Sequence, residues 1–590
     1  MSTLPSTSSN WADNELNRVN DMHGGWDIPA TGNGNAHQRA EAQIHGPCSP
    51  SSLVSETGNV LRGENDSSLG IASNSCTAWR SGLHGESNEL PGSAAVPATM
   101  GQLCPIRVEE RCTTVPRTLT QTNAESLVAY YTDAWTVHCL PALHPTFRHL
   151  TSPSGLGSVV TDSIVSLAAC RLSRRLPQRK LIFSAKAPAM SFRPDGDHES
   201  LSYEHYGIVM HRLATWHPRN FDANPVFGLA LLVMFCYLES SMGNFRNFHL
   251  HSKAIKVLVQ NHSDTVLQCG LALLAAWIEV EAQSWWRRVY FSTPEFHQGK
   301  HSGSPQLLEP QLAAALHTSN TPRASILLIL CESHRLNSTA VLVRWGQRHD
   351  EKLLESVDTC ADHGPNTLER YTAQLECQSK MLDNWHASQS STDLPISPVA
   401  LCPQSSLGQP LRFRSHDAAM NFAYYATARV MQCIQPLQIL GLASTAGLPS
   451  AYKEAEIWIS LLLGIAAGID WRECIRLNVY RVGFASLLLA CALRSHNLAI
   501  GASMQTWLEE RLQNTDFEEG NFPVFQVLGT LRLINRERSR GWDVISLHQI
   551  EDDGGGSGKL SSYHSQDLQS LVVYGRSRAT GELRVYQRTL

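Results

Sequence analysis

Hydrophobic positions along the chain fall into three regimes. From residue 1 to about 118, apolar residues are isolated among Ser, Asn, Gly, Thr and Pro, and no period is sustained. Such a stretch buries too little apolar surface to offset the entropy of ordering it, so the pattern predicts a disordered region over 1–118. A helical period takes over near Ala124. Leu127, Tyr130, Tyr131, Ala134, Trp135 and His138 follow the i, i+3, i+4, i+7 spacing of an amphipathic helix, which Pro141 and Pro145 then break. A second helix is expected over about 161–174, with Ile164, Leu167, Ala168 and Leu172 on one face and Thr161 or Asp162 as N-cap.

Further helices are predicted near 203–216, 225–240, 245–261 and 266–288, the second opening on Asn224-Pro225, a capped start with Pro in its first turn. Loops rich in Ser, Pro, Gln and Gly are expected over 298–321 and 387–409, with helices over 322–337 and 368–386 between them. The second half resumes with helices near 416–434, 452–469, 471–494, 502–513 and 522–538. The third regime is the C-terminus. Residues 552–562 read as a Gly/Ser linker, and 571–574 with 582–587 around Arg578-Ala-Thr-Gly581 form a candidate β-hairpin. No fixed-period repeat is present in the sequence.

The expected architecture is therefore all-α. An acidic region rich in Ser, Asn and Gly over 1–118 precedes a helical domain over 119–548, and a flexible linker and tail follow over 549–590. A hydrophobic share of 42% supports a large core over that length, and the net charge of −5 argues against a free-standing nucleic-acid binder. The first 115 residues hold 12 Asp and Glu against 6 Arg, and the first Lys is Lys180. Phosphate would be repelled by such an arm. The longest apolar run is Val226–Leu238, shorter than the roughly 20 residues a bilayer needs, so it reads as a buried helix and no membrane partner is expected. No basic start with an apolar run marks a secretory signal. The 15 cysteines are odd in number, and Cys170, Cys236, Cys269 and Cys491 sit inside apolar helical patterns, the usage of a reducing compartment.

Four stretches carry a resemblance. Leu229–Glu239 leads into Asn247-Phe-His-Leu-His251. Gly270-Leu-Ala-Leu-Leu-Ala-Ala-Trp277 leads into Trp285-Trp-Arg-Arg288 and Phe291–Phe296. Met381-Leu-Asp-Asn-Trp-His386 precedes Ala418–Gln432, and Phe517–Phe525 closes with Arg536–Val544. Each alone is mostly apolar helix. As an ordered set over about 430 residues it resembles the regulatory domain of the fungal zinc-cluster (binuclear zinc, six-cysteine) transcription factors.

The resemblance implies a nuclear regulator of transcription that controls a metabolic gene set, secondary-metabolite clusters being a common case. The implied partners are other transcription regulators, a second copy of the chain as homodimer partner, and a small-molecule effector held between helices. The family's DNA reader resembles C-x2-C-x6-C repeated after a short loop, with six thiolates around two zinc ions. Here Cys48, Cys76, Cys104 and Cys112 make no C-x2-C pair, and only the isolated Arg80, Arg107 and Arg111 lie near them. No bound zinc and no autonomous DNA reader are therefore expected, and no cofactor. DNA would be reached indirectly, through a partner or through sequence missing from this chain. The alternative is a helical co-regulator or scaffold that never contacts DNA and modulates a partner factor.

Several local clusters have both a functional and a structural reading. Trp285, Trp286, Arg287 and Arg288 are the candidate partner or effector surface, since Trp and Arg dominate interface hot spots. The competing reading is a helix end with a core Trp and arginines at the C-terminal dipole. His249 with His251, or His144 with His149, lack a Cys or carboxylate at ligand spacing, so no metal site is expected there. Glu518-Glu519 reads as a loop before a helix, and Glu551–Asp553 as the opening of the Gly linker. The run Arg171, Arg174, Arg175, Arg179 and Lys180 reads as a solvated helix end, with phosphate contact or nuclear import as the alternative. No G-x-S-x-G elbow, P-loop or dinucleotide fingerprint occurs, and Cys139 beside His138 is adjacency in sequence, which makes no dyad. Catalysis, which would need convergent polar groups in one pocket, is not expected.

Overall fold

The computed structural model describes residues 124–149, 157–175, 180–182, 191–215, 223–290, 303–307, 310–319, 321–348, 367–396, 409–433, 453–512, 518–520, 522–549 and 570–590. The acidic arm, its four cysteines, the Glu551 group and the Gly linker lie outside them.

Fifteen helices carry the described fold. α1 (Ala124–Ala134) runs into a π-turn (Trp135–Cys139) and a 3-10 turn (Pro145–His149). α2 (Gly157–Arg174), α3 (Gly196–Ala214), α4 (Pro225–Met242), α5 (Phe245–Asn261) and α6 (Leu271–Tyr290) follow. Next come α7 (Pro310–Thr318), α8 (Pro322–Arg348), α9 (Thr367–Ala387), α10 (His416–Gln432) and α11 (Lys453–Gly468). α12 (Trp471–Leu477), α13 (Phe484–Ala492), α14 (Leu498–Leu512) and α15 (Val524–Ser539) complete the set. Two short antiparallel ladders interrupt them, β1 (Lys180–Ile182) with β2 (Ser191–Arg193) and β3 (Glu518–Glu519) with β4 (Phe522–Pro523). The chain ends in an antiparallel sheet of β5 (Trp542–Gln549), β6 (Ser570–Ser577) and β7 (Leu583–Thr589), in that order.

Among the described residues two large apolar cores are accompanied by two smaller clusters, one around Trp345 and one around Val209. The first core gathers Tyr131, Trp135, Leu167, Met234, Tyr237, Phe248 and Trp277. The second core gathers Trp286, Leu330, Tyr424, Leu462, Phe484, Trp507 and Ile534. α6 belongs to both: Leu273–Val280 fill the first and Ala282–Tyr290 the second. A helix wet on one side cannot do this, and α6 is buried almost all round over its last three turns.

Several expectations are corrected by packing. The segment expected as one helix over 471–494 is two, because residues 478–483 leave the helical path to enter both cores and their carbonyls find side-chain donors. α2 starts at Gly157, so Thr161 and Asp162 lie inside it. Thr161 Oγ1 donates to Gly157 O at 2.8 Å, and Asp162 pairs with His205 Nδ1 at 2.8 Å and with Arg212. Asp195 is a cap that the period alone does not mark, its carboxylate accepting from the N–H groups of Asp197 and His198 at the start of α3. The hairpin at the C-terminus is present and gains a third strand, with Trp542–Gln549 pairing Leu571–Ser577. Ile545, Leu571 and Val573 are buried, so residues 570–590 belong to the helical body rather than to a loose tail.

Among the described residues three helical stretches, Pro225–Met242, Ser263–Tyr290 and Pro322–Val343, are long and apolar enough to cross a membrane by length and composition. In the fold 83%, 61% and 61% of their apolar windows are buried. The expectation drawn from an uninterrupted apolar run missed the last two because single polar residues such as Glu279 and Arg323 punctuate them.

Candidate functional site: a polar seam between the two cores

Where the cores meet, charged side chains replace apolar ones. Glu279 projects from the middle of α6, Arg323 from the start of α8, Asp417 from the first turn of α10, and Arg481 from the break between α12 and α13. Arg323 Nη2 and Arg481 Nη1 reach Asp417 Oδ1 at 2.7 and 2.9 Å. The same two arginines face Glu279 Oε2 at 3.9 and 3.6 Å, and Arg323 Nε donates to Asn421 Oδ1 at 3.1 Å. Two cations thus alternate with two anions. Glu279 and Arg481 are buried, while half of the Asp417 side chain is open to solvent. Burial alone would raise the Asp417 carboxyl, but the two guanidiniums overcome it and hold the group well below the usual carboxylate range. His144 lies at the same seam, and desolvation lowers its pKa.

The break at 478–483 is held by its own contacts. Val479 and Tyr480 pack in the first core, Val482 and Phe484 in the second. Gln283 Nε2 donates to Val479 O at 2.9 Å, and Tyr424 OH donates to Val482 O at 2.7 Å. Asn478 accepts from His416 Nε2 at 3.0 Å and donates to Glu519 Oε1 at 2.7 Å. Glu519 then caps α13, its two oxygens accepting the N–H groups of Phe484 and Ala485 at 2.7 Å each. Its pKa is raised by burial, which these three donors partly offset. Gly520, at φ +61°, lets the β3–β4 turn pass so close that a Cβ there would meet Arg481 O at 2.3 Å. Glu518-Glu519 was expected as a plain loop; it is a two-residue ladder with one solvent-averted carboxylate doing the capping. Gly483 and Gly520 on either side of this contact were the available signal for it.

The expected surface residues sit largely inside. Trp285, Trp286 and Arg287 are buried and Arg288 is half-buried. Both guanidiniums lie over the Phe245 ring, at 5.3 and 5.7 Å. Trp285 and Trp286 enclose His334, whose Nε2 is 2.5 Å from Tyr290 OH. Packing within the body accounts for the cluster, and the two indoles present no surface to a partner. Of the basic run, Arg174 is buried and Arg175 Nη1 donates to His138 Nε2 at 2.6 Å. His138 is pushed down to about 4 by desolvation and by Arg175 and Arg171.

A second polar group lies in the first core. Glu239 Oε1 accepts from Tyr206 OH at 2.6 Å and Asn247 Nδ2 at 3.1 Å, and His251 Nε2 is 2.8 Å from the same tyrosine oxygen. Desolvation pushes the Glu239 carboxyl up to about 7, against the pull of the Tyr206, Asn247 and Asn244 side chains. Between α9, α10 and α11 a cavity of about 170 Å³ is lined by Leu375, Glu376, Ser379, Arg429, Gln432 and Glu454. Arg429 is fixed there by Ser379 and Asp383 and packs over the Tyr425 and Trp458 rings. The cavity is lined about equally by polar and apolar surface and is below the roughly 300 Å³ at which pockets for larger organic ligands begin. Among the described residues no group of three His, Cys, Asp or Glu side chains could hold a metal ion.

In the seam every carboxylate is matched by a guanidinium, and the linked groups belong to four separate elements, so displacing one loads the others. No family model, no curated protein and no solved structure matches the chain.

Proposed function

We propose that this chain is a fungal regulator of transcription, acting through its helical body on partner regulators and reaching DNA through a partner or through sequence beyond this chain. One observation carries the reading. The stretches that resemble the zinc-cluster regulatory domain interlock rather than lying apart. Tyr237 OH of α4 donates to Ala276 O of α6 at 3.3 Å. Trp385 of α9 stacks on Tyr425 of α10 at 5.8 Å. Glu519 of the fourth stretch caps α13 beside the seam that joins α6 to α10. A body whose halves meet on a charged seam is the kind of element whose packing a bound partner or effector can bias.

The co-regulator reading is favoured by a separate observation, the acid excess of the first 115 residues. Both readings are tested by tethering. The full chain, fused to an unrelated DNA-binding domain, is placed upstream of a reporter gene in a fungal host. A several-fold change in transcription, in either direction, is expected, with the tagged chain in the nucleus. An unchanged reporter, with the fusion bound at its site, would overturn the regulatory reading.

A further inference from the structure

Among the described residues the outer edge of β7 is the one strand edge left long and plain. β1, β2, β3 and β4 are two or three residues long, too short to template a further strand. β5, at the far side of the C-terminal sheet, carries a register shift between Val544 and Ser546. β7 has seven residues, no Pro, and an unbroken register against β6 from Leu583 opposite Arg576 to Thr589 opposite Ser570. The turn before it sets which backbone groups face out. Ser577 N–H donates to Glu582 O at 2.8 Å, and Gly581 N–H donates to Ser577 O at 2.9 Å. Counting on in steps of two, Arg584, Tyr586 and Arg588 bond to β6, whereas Leu583, Val585 and Gln587 turn their N–H and C=O groups away from it. No described strand lies on that side. Among the described residues these three N–H groups and the carbonyls of Leu583 and Val585 meet no partner, and Gln587 O takes one long bond, at 3.3 Å, from Arg588 Nη1. The strand itself is held firmly. Leu583 and Val585 pack on the Trp345 cluster, and Tyr586 OH and Arg588 Nε donate to Glu537, each at 3.0 Å. Arg584 pairs with Glu582 at 2.7 Å and lies over the Trp542 ring.

We propose that β7 pairs antiparallel with β7 of a second copy of this chain, across a two-fold axis at Val585. The inference goes beyond the regulatory reading and does not depend on it. Val585 faces the second copy's Val585, and Leu583 faces its Gln587, each pair exchanging both N–H···O bonds so that the two sheets become one. Charge selects this occupant and this register. In the alternate, closer positions Glu582 comes opposite the second copy's Arg588, and Arg584 opposite its Tyr586. Moving the axis one residue toward either end keeps the backbone pairing but sets Arg584 opposite its own copy or opposite Arg588, like charges face to face. Glu582, Arg584 and Arg588 each have a partner within their own chain, so the match adds to the backbone bonds, which carry the pairing. The outer edges left in such a pair are the bulged β5 strands, so the assembly closes at two copies. A contact of one strand pair is small, and the dimer it makes is reversible.

The test is sedimentation velocity on the purified full chain over a concentration series reaching about 100 μM, where weak interfaces assemble. A reversible shift from one chain mass to two is expected, with the amides of β7 exchanging more slowly in the dimer than in the monomer. Gln587→Pro removes an outward N–H that β6 does not use, so the strand keeps its place in the sheet. It should raise the dimer dissociation constant about tenfold or more, because hydrogen bonds are lost on both sides of the axis. Glu582→Arg, at an exposed position, sets Arg against Arg and should raise it about threefold or more, while Glu582→Asp keeps it. Circular dichroism and melting report whether each variant folds as the parent does. If Gln587→Pro does not, Glu582→Arg and the exchange of the parent's β7 amides decide the matter. Three results would each overturn the proposal: a chain that stays monomeric throughout, a dimer that either folded variant leaves unchanged, or a dimer whose β7 amides exchange as in the monomer. None of them alters the reporter response in the tethering assay, so the regulatory reading stands or falls separately.

Discussion

The seam and the Glu239 niche are both buried and polar, yet they solve burial in opposite ways. The seam brings Glu279 and Asp417 together with Arg323 and Arg481, and each charge is compensated by another. The niche holds Glu239 with neutral donors, Tyr206 and Asn247, and the nearest cationic candidate, His251, stands 3.9 Å away. Desolvation is therefore overcome at Asp417, which is held ionised, and dominates at Glu239, which binds a proton near neutrality. A carboxylate that desolvation would neutralise is fixed in charge by guanidiniums, as at half-open Asp417, and left titratable by hydroxyls and amides, as at buried Glu239.

The largest effect is expected from the seam. Arg481→Ala removes a buried guanidinium and leaves Glu279 short of a partner, which should destabilise the fold by about 3–5 kcal/mol in chemical denaturation. The double change Arg481→Met with Glu279→Met should cost clearly less than the sum of the two single changes, because it removes the orphaned charge along with the pair. Additive costs would mean that the seam is a set of independent contacts.

The niche should show itself in pH dependence. The Glu239 carboxyl is raised from 4.5 to about 7 in the fold. The folded state thus binds its proton more tightly than the unfolded chain. The associated stability is complete below about pH 4.5 and is lost as pH rises through 7, amounting to up to about 3 kcal/mol. Glu239→Gln should therefore melt higher than the parent at pH 8 and no higher at pH 4.5. His138 has the opposite sign, since its lowered pKa makes stability fall as pH drops from 6.5 through about 4. The pH profile of the difference between parent and Glu239→Gln isolates the niche from that slope.

Much of the helical scaffold was legible, since period and caps mark it directly: α5 is predicted and found over the same residues, 245–261. The break at 478–483 was not, because Val479, Tyr480 and Val482 continue an apolar period that a single helix would satisfy equally well. What divides the helix is long-range, the Glu519 cap reaching back from 35 residues downstream to Phe484 N. The candidate surface at Trp285–Arg288 was read from residue type, and residue type does not distinguish an interface from a core that uses cation–π contacts with Phe245.

Glu519 tests how far hydrogen-bond donors alone can stabilise a buried carboxylate. Glu519→Gln keeps one acceptor oxygen and places an amide N–H against the other backbone N–H group, and should cost about 1–3 kcal/mol, with α13 amides gaining the most hydrogen exchange. The smallest effect concerns thiols. Cys269 and Cys377 are exposed and the other described cysteines are buried, with Cys139 and Cys491 pushed up to about 12. Under native conditions alkylation should modify Cys269 and Cys377 before any described buried cysteine, with no change in melting. Early labelling of Cys139 or Cys491 would show that the cores open locally.

The most direct measurement is selection of random duplex DNA by the purified 590-residue chain across a salt series, with zinc determined on the same sample. The account predicts no enriched motif at physiological salt and no stoichiometric zinc, so that targeting is supplied by a partner or by sequence beyond this chain. An enriched motif, with or without zinc, would contradict it and place a DNA reader within this chain.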